Sequence, residues 1–263
     1  MKVVLFCGGL GLRLRDYSQN MPKPLAPIGQ RPILWHVMNY YAWYGYKDFI
    51  LCLGYQGDAI KDYFLNYKET LSNDFVLAKG GREITLLHRD IDDWTITFVD
   101  TGLHSNIGER LRLVEPYLDG EDIFMANYSD GLSDVPLDRY LADFTRQDAV
   151  GAFLSVKPCF AFHIVESDAN QRATSIRSVQ DSNVRVNGGF FLFRRRVFDY
   201  LREGEELVEE PFQRLIAERR LLAWPYDGFW RCLDTFKDKQ ALEDLTLRDA
   251  APWEVWKRAG RTP

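Results

Sequence analysis

The stretch Val3-Val4-Leu5-Phe6-Cys7-Gly8-Gly9-Leu10-Gly11-Leu12-Arg13 decides the fold. Its first five residues are an unbroken apolar run with two β-branched side chains, which reads as a strand buried on both faces. The glycines that follow let the backbone approach a ligand and leave N–H groups free to bind an anion. An apolar run passing at once into glycines is not the profile of a secretory signal, so a cytoplasmic protein is expected.

Working outward, Pro22, Pro24 and Pro27 hold an extended segment, and Pro32 opens a helix carrying Ile33, Leu34, Val37, Met38 and Tyr41 on one face, with Gly45 as its stop. Residues 48–54 predict a second buried strand and 58–67 a second helix, with Ile60, Phe64 and Tyr67 inward. Strand–helix–strand–helix order predicts a parallel sheet covered by helices. Residues 83–87 and 95–99 read as short alternating strands of an antiparallel excursion, and 110–118 as a helix. A buried strand at 123–126 runs into Asn127-Tyr128-Ser129-Asp130-Gly131, followed by a helix at 137–144 and a strand at 150–156. From about residue 157 the pattern is mostly strand (162–165, 173–179, 189–193), with helices at 211–219 and 236–247. No repeat, linker or boundary interrupts the chain. The expectation is one domain over 1–263, with a nucleotide-binding half to about 156 and an acceptor-binding half with the closing helix from about 157.

Composition narrows the function classes. The chain has 263 residues, with 33 Lys plus Arg against 38 Asp plus Glu, a net charge of −5. With 46% hydrophobic and 27% charged residues it is neither a disordered chain nor a basic nucleic-acid coat. No nucleic-acid or membrane partner is expected, because no apolar run reaches the ~18 residues of a span. Cys7, Cys52, Cys159 and Cys232 form no C-x-x-C pair and read as reduced thiols of an intracellular protein. The four histidines show no metal spacing, and His36 reads as a structural helix residue.

The loop spacing is G-G-x-G-x-R, which fits neither G-x-G-x-x-G nor the Walker pattern. Arg13 and Lys23 flanking the glycines suit a triphosphate. Asp130 falls at the carboxyl end of a buried strand, where open α/β sheets bind ligands. It reads either as a turn residue or as a Mg²⁺ ligand, since Mg²⁺ takes one or two carboxylates plus phosphate oxygens. Asp234 precedes the last helix and reads as its cap or as a second metal ligand, with Thr235 the other candidate cap. Asp134 reads as solvated, Arg194–Arg196 as a solvated helix start, and Trp253 and Trp256 as packed on the body or a neighbouring subunit.

The glycine loop together with Pro22-Lys23-Pro24-Leu25 resembles the signature of the sugar-1-phosphate nucleotidyltransferases (NDP-sugar pyrophosphorylases). Asp100-Thr101-Gly102, Asn187-Gly188-Gly189-Phe190-Phe191 and Ala251-Pro252-Trp253 are most similar to its bacterial glucose-1-phosphate cytidylyltransferase branch, and the likeness covers nearly the whole length. The resemblance implies a Rossmann-like α/β fold (GT-A-like), a mostly parallel central sheet flanked by helices with a smaller β-rich sugar-binding part. It implies Mg²⁺-assisted in-line attack of a sugar 1-phosphate on the α-phosphorus of an NTP, CTP favoured, with pyrophosphate leaving, in a homo-oligomer.

Carried over residue by residue, Gly8, Gly9, Leu10 and Gly11 would cradle the nucleotide. Arg13 (at the departing pyrophosphate) and Lys23 (at the α-phosphate) would be the catalytic cations. Thr101, Gly102 and Arg110 would lie around the nucleotide, Asp130 and Asp234 would bind the metal, and Asn187 and Gly188 would hold the sugar. Three departures stand out. The family's Glu-Lys-Pro lysine is absent, with Arg185 as the nearest replacement cation. Phe160-Ala161-Phe162 stands where the family has Phe-Gly-Ala, which would narrow the sugar pocket. Ile107 and Glu109 replace a threonine and a glycine, bringing a negative charge toward the nucleotide. The acceptor is therefore expected to differ from glucose 1-phosphate. A catalytically silent regulatory homologue and a related glycosyltransferase are the competing readings.

Overall fold

A computed structural model describes residues 1–9, 21–159 and 162–258. Its strands are β1 (Val3–Phe6), β2 (Pro27–Ile28), β3 (Arg31–Pro32), β4 (Asp48–Leu53), β5 (Phe75–Ala78), β6 (Glu83–Leu86), β7 (Thr95–Asp100), β8 (Ile123–Tyr128), β9 (Gly131–Ser133), β10 (Gly151–Val156), β11 (His163–Ser167), β12 (Ala173–Ser178), β13 (Val186–Asn187), β14 (Phe191–Arg194), β15 (Leu221–Tyr226) and β16 (Trp230–Cys232). The helices are α1 (Ile33–Trp43), α2 (Gly57–Leu65), α3 (Ile107–Val114), α4 (Leu137–Thr145), α5 (Glu210–Ala217) and α6 (Phe236–Leu247).

β1 lies parallel to β4 on one flank and to β8 on the other, and β7 continues the parallel set beyond β4. Past β8 the sheet turns antiparallel: β14 pairs with β8, and β10 with β14 and β13, before β15 adds a parallel edge. The chain runs outward from β1 through β4 to β7, then returns to β8 on the far side of β1. Right-handed crossovers therefore put α1 and α2 on one face and α3 on the other. The strand sequences record this two-sided burial. Val3, Leu5 and Cys7 enter one core with residues of α1, α2 and α4, while Val4 and Phe6 enter a second with residues of α3 and α5. A crevice is expected at the carboxyl ends of β1 and β8, where the winding direction reverses.

The first core explains the unusually apolar α1. Nine of its eleven residues are buried because the C-terminal segment covers the side that the sheet leaves open. His36 is sealed there. Its Nε2–H donates to Ile28 O at 3.0 Å, and its Nδ1 accepts the Trp253 indole N–H at 3.3 Å. Burial pushes the imidazole pKa down to about 4. Trp253 is fully buried and also packs on Phe229, so it belongs to the body of the protein.

Several expectations are corrected. The antiparallel excursion is the β5–β6 ribbon, whereas Thr95–Asp100 joins the main sheet in parallel with β4. β5 escaped notice because its apolar residues are largely exposed and show no buried face. α3 begins at Ile107 rather than Arg110, since Asn106 and Glu109 form a capping box, and Glu115-Pro116 turns the chain into a 3₁₀ turn. β15 carries Pro225, which an edge strand tolerates. Asp134 is not solvated: it accepts from Phe229 N at 2.9 Å, from the Tyr226 hydroxyl, and from Arg258 Nη2 at 2.9 Å. Arg194 and Arg195 donate to the carbonyls of Ala149 and Leu118, tying loops rather than standing free. Among the described residues, no helix is long and apolar enough to cross a membrane.

Candidate active site

A cavity of about 530 Å³ opens at the reversal point, with Gly8, Gly9, Lys23, Arg110, Asp130 and Asp234 on its wall. Its floor is a knot of strand ends. From α3, Arg110 Nη1 donates to Leu53 O at 3.0 Å and to Thr101 Oγ1 at 2.6 Å, and Nη2 donates to Gly8 O at 3.1 Å. One guanidinium thus ties the ends of β1, β4 and β7. The glycines are what allow this convergence. A Cβ on Gly8 would sit 2.1 Å from Arg110 Nη1, and one on Gly54 would sit 2.8 Å from Gly8 O and 2.9 Å from Gly102 O. Burial pulls the Arg110 pKa down, yet the group remains a cation because guanidinium starts so high. Glu109 does not face the cavity as a loose charge. Its carboxylate accepts from Asn106 N at 3.1 Å as half of the capping box.

The second half of the site is built by the β9–β16 pairing. Cys232 lies opposite Gly131, and Leu233 N donates to Asp130 O at 2.9 Å, so this short ladder brings Asp234 beside Asp130. Thr235 caps α6 with its hydroxyl, which leaves the Asp234 carboxylate for the cavity. Lys23, held in a 3₁₀ turn between Pro22 and Pro24, places Nζ 2.5 Å from Asp130 Oδ2 and 2.7 Å from Asp234 Oδ1. Burial alone would lower the ammonium pKa, but the two carboxylates outweigh it and the net shift is upward. Cys232 Sγ–H donates to Asp234 Oδ2 at 3.2 Å.

The residues implied for the acceptor are gathered less tightly. Asn187 Oδ1 accepts from Gly189 N at 2.9 Å, and Gly188 O accepts the Trp230 indole N–H at 2.8 Å; neither residue is among those that line the cavity. Phe162 is 68% exposed ahead of β11. Arg185 is committed elsewhere, donating to Ser155 O at 2.6 Å and pairing with Asp227. Thr101 lies buried in the strand-end knot and Gly102 sits at its exposed rim with φ +86°. Leu10, Gly11, Arg13 and Ala161 lie outside the described residues. Sequence reading passed over Glu206, which also lines the cavity, because it stands in an acidic run with nothing to single it out.

Glycine-lined strand ends, a buried cation and two convergent carboxylates at a topological reversal make this an α/β protein built to bind a phosphorylated ligand. A family model described as nucleotidyl transferase matches residues 2–238, and the chain belongs to that family. It is 35% identical over 260 residues to glucose-1-phosphate cytidylyltransferase of Salmonella typhi, covering 98% of this chain and 100% of that one. Among solved structures, UDP-glucose pyrophosphorylase complexed with UDP-glucose superposes with a TM-score of 0.68 at 14% identity, covering 94% of this chain and 98% of that chain. HddC from Yersinia pseudotuberculosis gives 0.64 at 16% identity, covering 93% and 99%. At such identities the structural likeness concerns the fold alone.

Proposed function

We propose that the chain is a sugar-1-phosphate nucleotidyltransferase that joins an NTP, CTP in preference, to a sugar 1-phosphate and releases pyrophosphate. The observation that carries this reading is the Lys23 ammonium bridging Asp130 and Asp234 beside Gly8 and Gly9. The CTP preference rests on the activity named for the Salmonella relative.

The carboxylate pair also passes a test of fit for a divalent metal. A lysine ammonium already sits between the two carboxylates, so their spacing and charge suit a shared cation. Among the described residues no group of three or more His, Cys, Asp or Glu forms a complete cage, which matches Mg²⁺ drawing its other ligands from phosphates and water. Asp130 and Asp234 would hold it. When bound, Mg²⁺ supplies charge neutralisation and alignment of the two phosphates.

The reaction forms a bond from an oxygen of the acceptor phosphate to the α-phosphorus and breaks the α–β bridge on the opposite side. The attacking oxygen is already anionic near pH 7, so the site needs no general base. The work of the protein is positioning and neutralisation. Gly8 and Gly9 orient the nucleotide by close backbone approach. Lys23 balances charge at the α-phosphate, with Arg13 assigned to the leaving pyrophosphate. Asn187 and Gly188 are assigned to the acceptor. Because Arg185 is spent on Asp227 and Ser155, we infer that the acceptor phosphate is not held by that residue.

Pyrophosphate release, measured for four NTPs against a panel of phosphorylated acceptors with Mg²⁺, tests the reading. Turnover that is highest with CTP and vanishes in Asp130→Asn is expected. Nucleotide binding without turnover for any pair would sink it in favour of a regulatory homologue.

A further inference from the structure

One wall of the cavity carries a charge that the reaction does not use. Glu206 lines it with its carboxylate against Ile107 N, and the ion pairs that join Lys23 to Asp130 and Asp234 do not include it. Its Oε1 accepts from Leu207 N at 3.0 Å and its Oε2 from Ile107 N at 3.4 Å. No ion pair with a lysine or arginine is found for it among the described residues, and the charges acting on it, Glu209 and Glu210, are of like sign. Burial and these neighbours raise its pKa, while the two backbone N–H groups oppose the rise. A half-buried carboxylate without a cation is costly, and such groups concentrate at functional sites. The first turn of α3 offsets part of the cost by placing N–H groups and the positive helix end beside it.

Each carboxylate oxygen accepts one backbone N–H, which leaves acceptor capacity free. A triphosphate cannot use it, because anion would meet anion, and among the described residues the cations of the cavity lie with Asp130 and Asp234 and beneath Gly8. What remains of a nucleotide is its ribose, whose hydroxyls every NTP shares, and its base, which alone could tell one pyrimidine from another. We propose that Glu206 reads the base edge, its carboxylate accepting the exocyclic N4 amine of cytosine and disfavouring the O4 carbonyl that uracil presents at the same place. This rests on the nucleotidyltransferase reading above. An ionised carboxylate only accepts, so it separates an amine from a carbonyl more sharply than any apolar wall.

The test is equilibrium binding of CTP and UTP, without acceptor, to the wild type, Glu206→Gln and Glu206→Val. The wild type is expected to favour CTP by about 10-fold or more. In Glu206→Gln the amide can turn its NH₂ toward O4, and the ratio should fall toward one. Glu206→Val should lose CTP affinity with little change for UTP. Pyrimidin-2-one ribonucleoside triphosphate, which lacks the 4-substituent, probes the intact protein. It should bind more weakly than CTP and more tightly than UTP. If Glu206 serves only to cap α3, or accepts a ribose hydroxyl, both nucleotides weaken together and their ratio stays fixed, which overturns the proposal. Equal wild-type affinity for CTP and UTP overturns it as well. Failure of the enzymatic reading registers separately, as binding with no pyrophosphate release from any NTP and acceptor.

Discussion

The two ends of the site are built to different standards. At the nucleotide end, strand ends from β1, β4 and β7 meet on one arginine, and three charged side chains interlock within hydrogen-bond distance. At the end proposed for the acceptor, Phe162 stands exposed, β11 and β12 form a two-stranded ribbon off the main sheet, and the nearest candidate cation is spent on a surface aspartate. The first region is tied at several points: one guanidinium holds the ends of three strands. The second is a periphery that can change shape without disturbing the sheet. A family that keeps one nucleotidyl-transfer reaction while changing acceptors would divide its structure in this way, because function on loops varies more freely than function on strand ends.

The sharpest way to break this contrast is to remove the cation. Lys23→Ala leaves Asp130 and Asp234 facing each other and deletes the charge assigned to the α-phosphate. Pyrophosphate release should fall by about 10²–10³-fold, the scale set by loss of one electrostatic donor. Chelation of divalent metal should remove turnover altogether in the wild type. A drop of less than about 10-fold in Lys23→Ala would mean that the interlocked end is structural rather than chemical.

A second test addresses packing instead of charge. Trp253 is fully buried and caps the α1 core through His36 and Phe229. Trp253→Ala should cost about 3–5 kcal/mol in denaturant unfolding. His36 adds a pH signature to the same core. Its folded pKa of about 4 lies below its usual 6.5, so the unfolded chain binds the extra proton. Stability from this group is complete above pH 6.5 and drains away as pH falls toward 4. The loss approaches about 3 kcal/mol at one pKa unit per ~1.4 kcal/mol. In His36→Gln that part of the acid sensitivity should disappear from the unfolding free energy.

What the sequence made legible follows the same division. The apolar runs at Val3–Cys7 and Asp48–Leu53 announced central strands because burial on both faces leaves no other composition. Asp130 was readable as a strand-end residue, and α6 as a helix with matching ends. The partnership of Asp130 with Asp234 was not readable from periodicity, because it depends on two three-residue strands, β9 and β16, too short to leave a pattern. The β5–β6 ribbon was misplaced because its strands bury little. Glu206 carried no mark, since its significance comes from where the chain before α5 packs against α3, as the close approach of Glu205 O to Gly108 shows. Local rules saw what local chemistry fixes, and tertiary juxtaposition supplied the remainder.

Within the nucleotide end, a smaller effect is expected at the arginine knot. Arg110→Met keeps the volume and takes from Gly8 O its guanidinium donor, while Leu53 O keeps the Thr101 N–H at 3.0 Å and the Thr101 hydroxyl at 2.7 Å. An unsatisfied buried acceptor costs about 1–3 kcal/mol, so thermal stability should fall clearly. Nucleotide affinity should fall with it, because Gly8 and Gly9 lose their anchor. If affinity fell while stability held, Arg110 would touch the nucleotide directly, and the resemblance would describe it better than the strand-end geometry does.

The smallest effect should come from Arg185, and it is informative because it is small. Arg185 stands near the missing lysine's place without matching its position; were it a substitute for that lysine, its removal would raise the KM for the acceptor by an order of magnitude or more. The structure instead shows its guanidinium tying Ser155 O to Tyr226 O and reaching Asp227 at the rim of β10 and β15. A partly exposed pair of this kind contributes about 0–1 kcal/mol. Arg185→Ala should therefore shift the melting temperature slightly and leave the acceptor KM within about 2-fold of the wild type. A selective rise in acceptor KM, with the KM for the nucleotide unchanged, would show that Arg185 leaves Asp227 when the acceptor arrives. The loose end of the site would then be a switchable contact rather than a missing one.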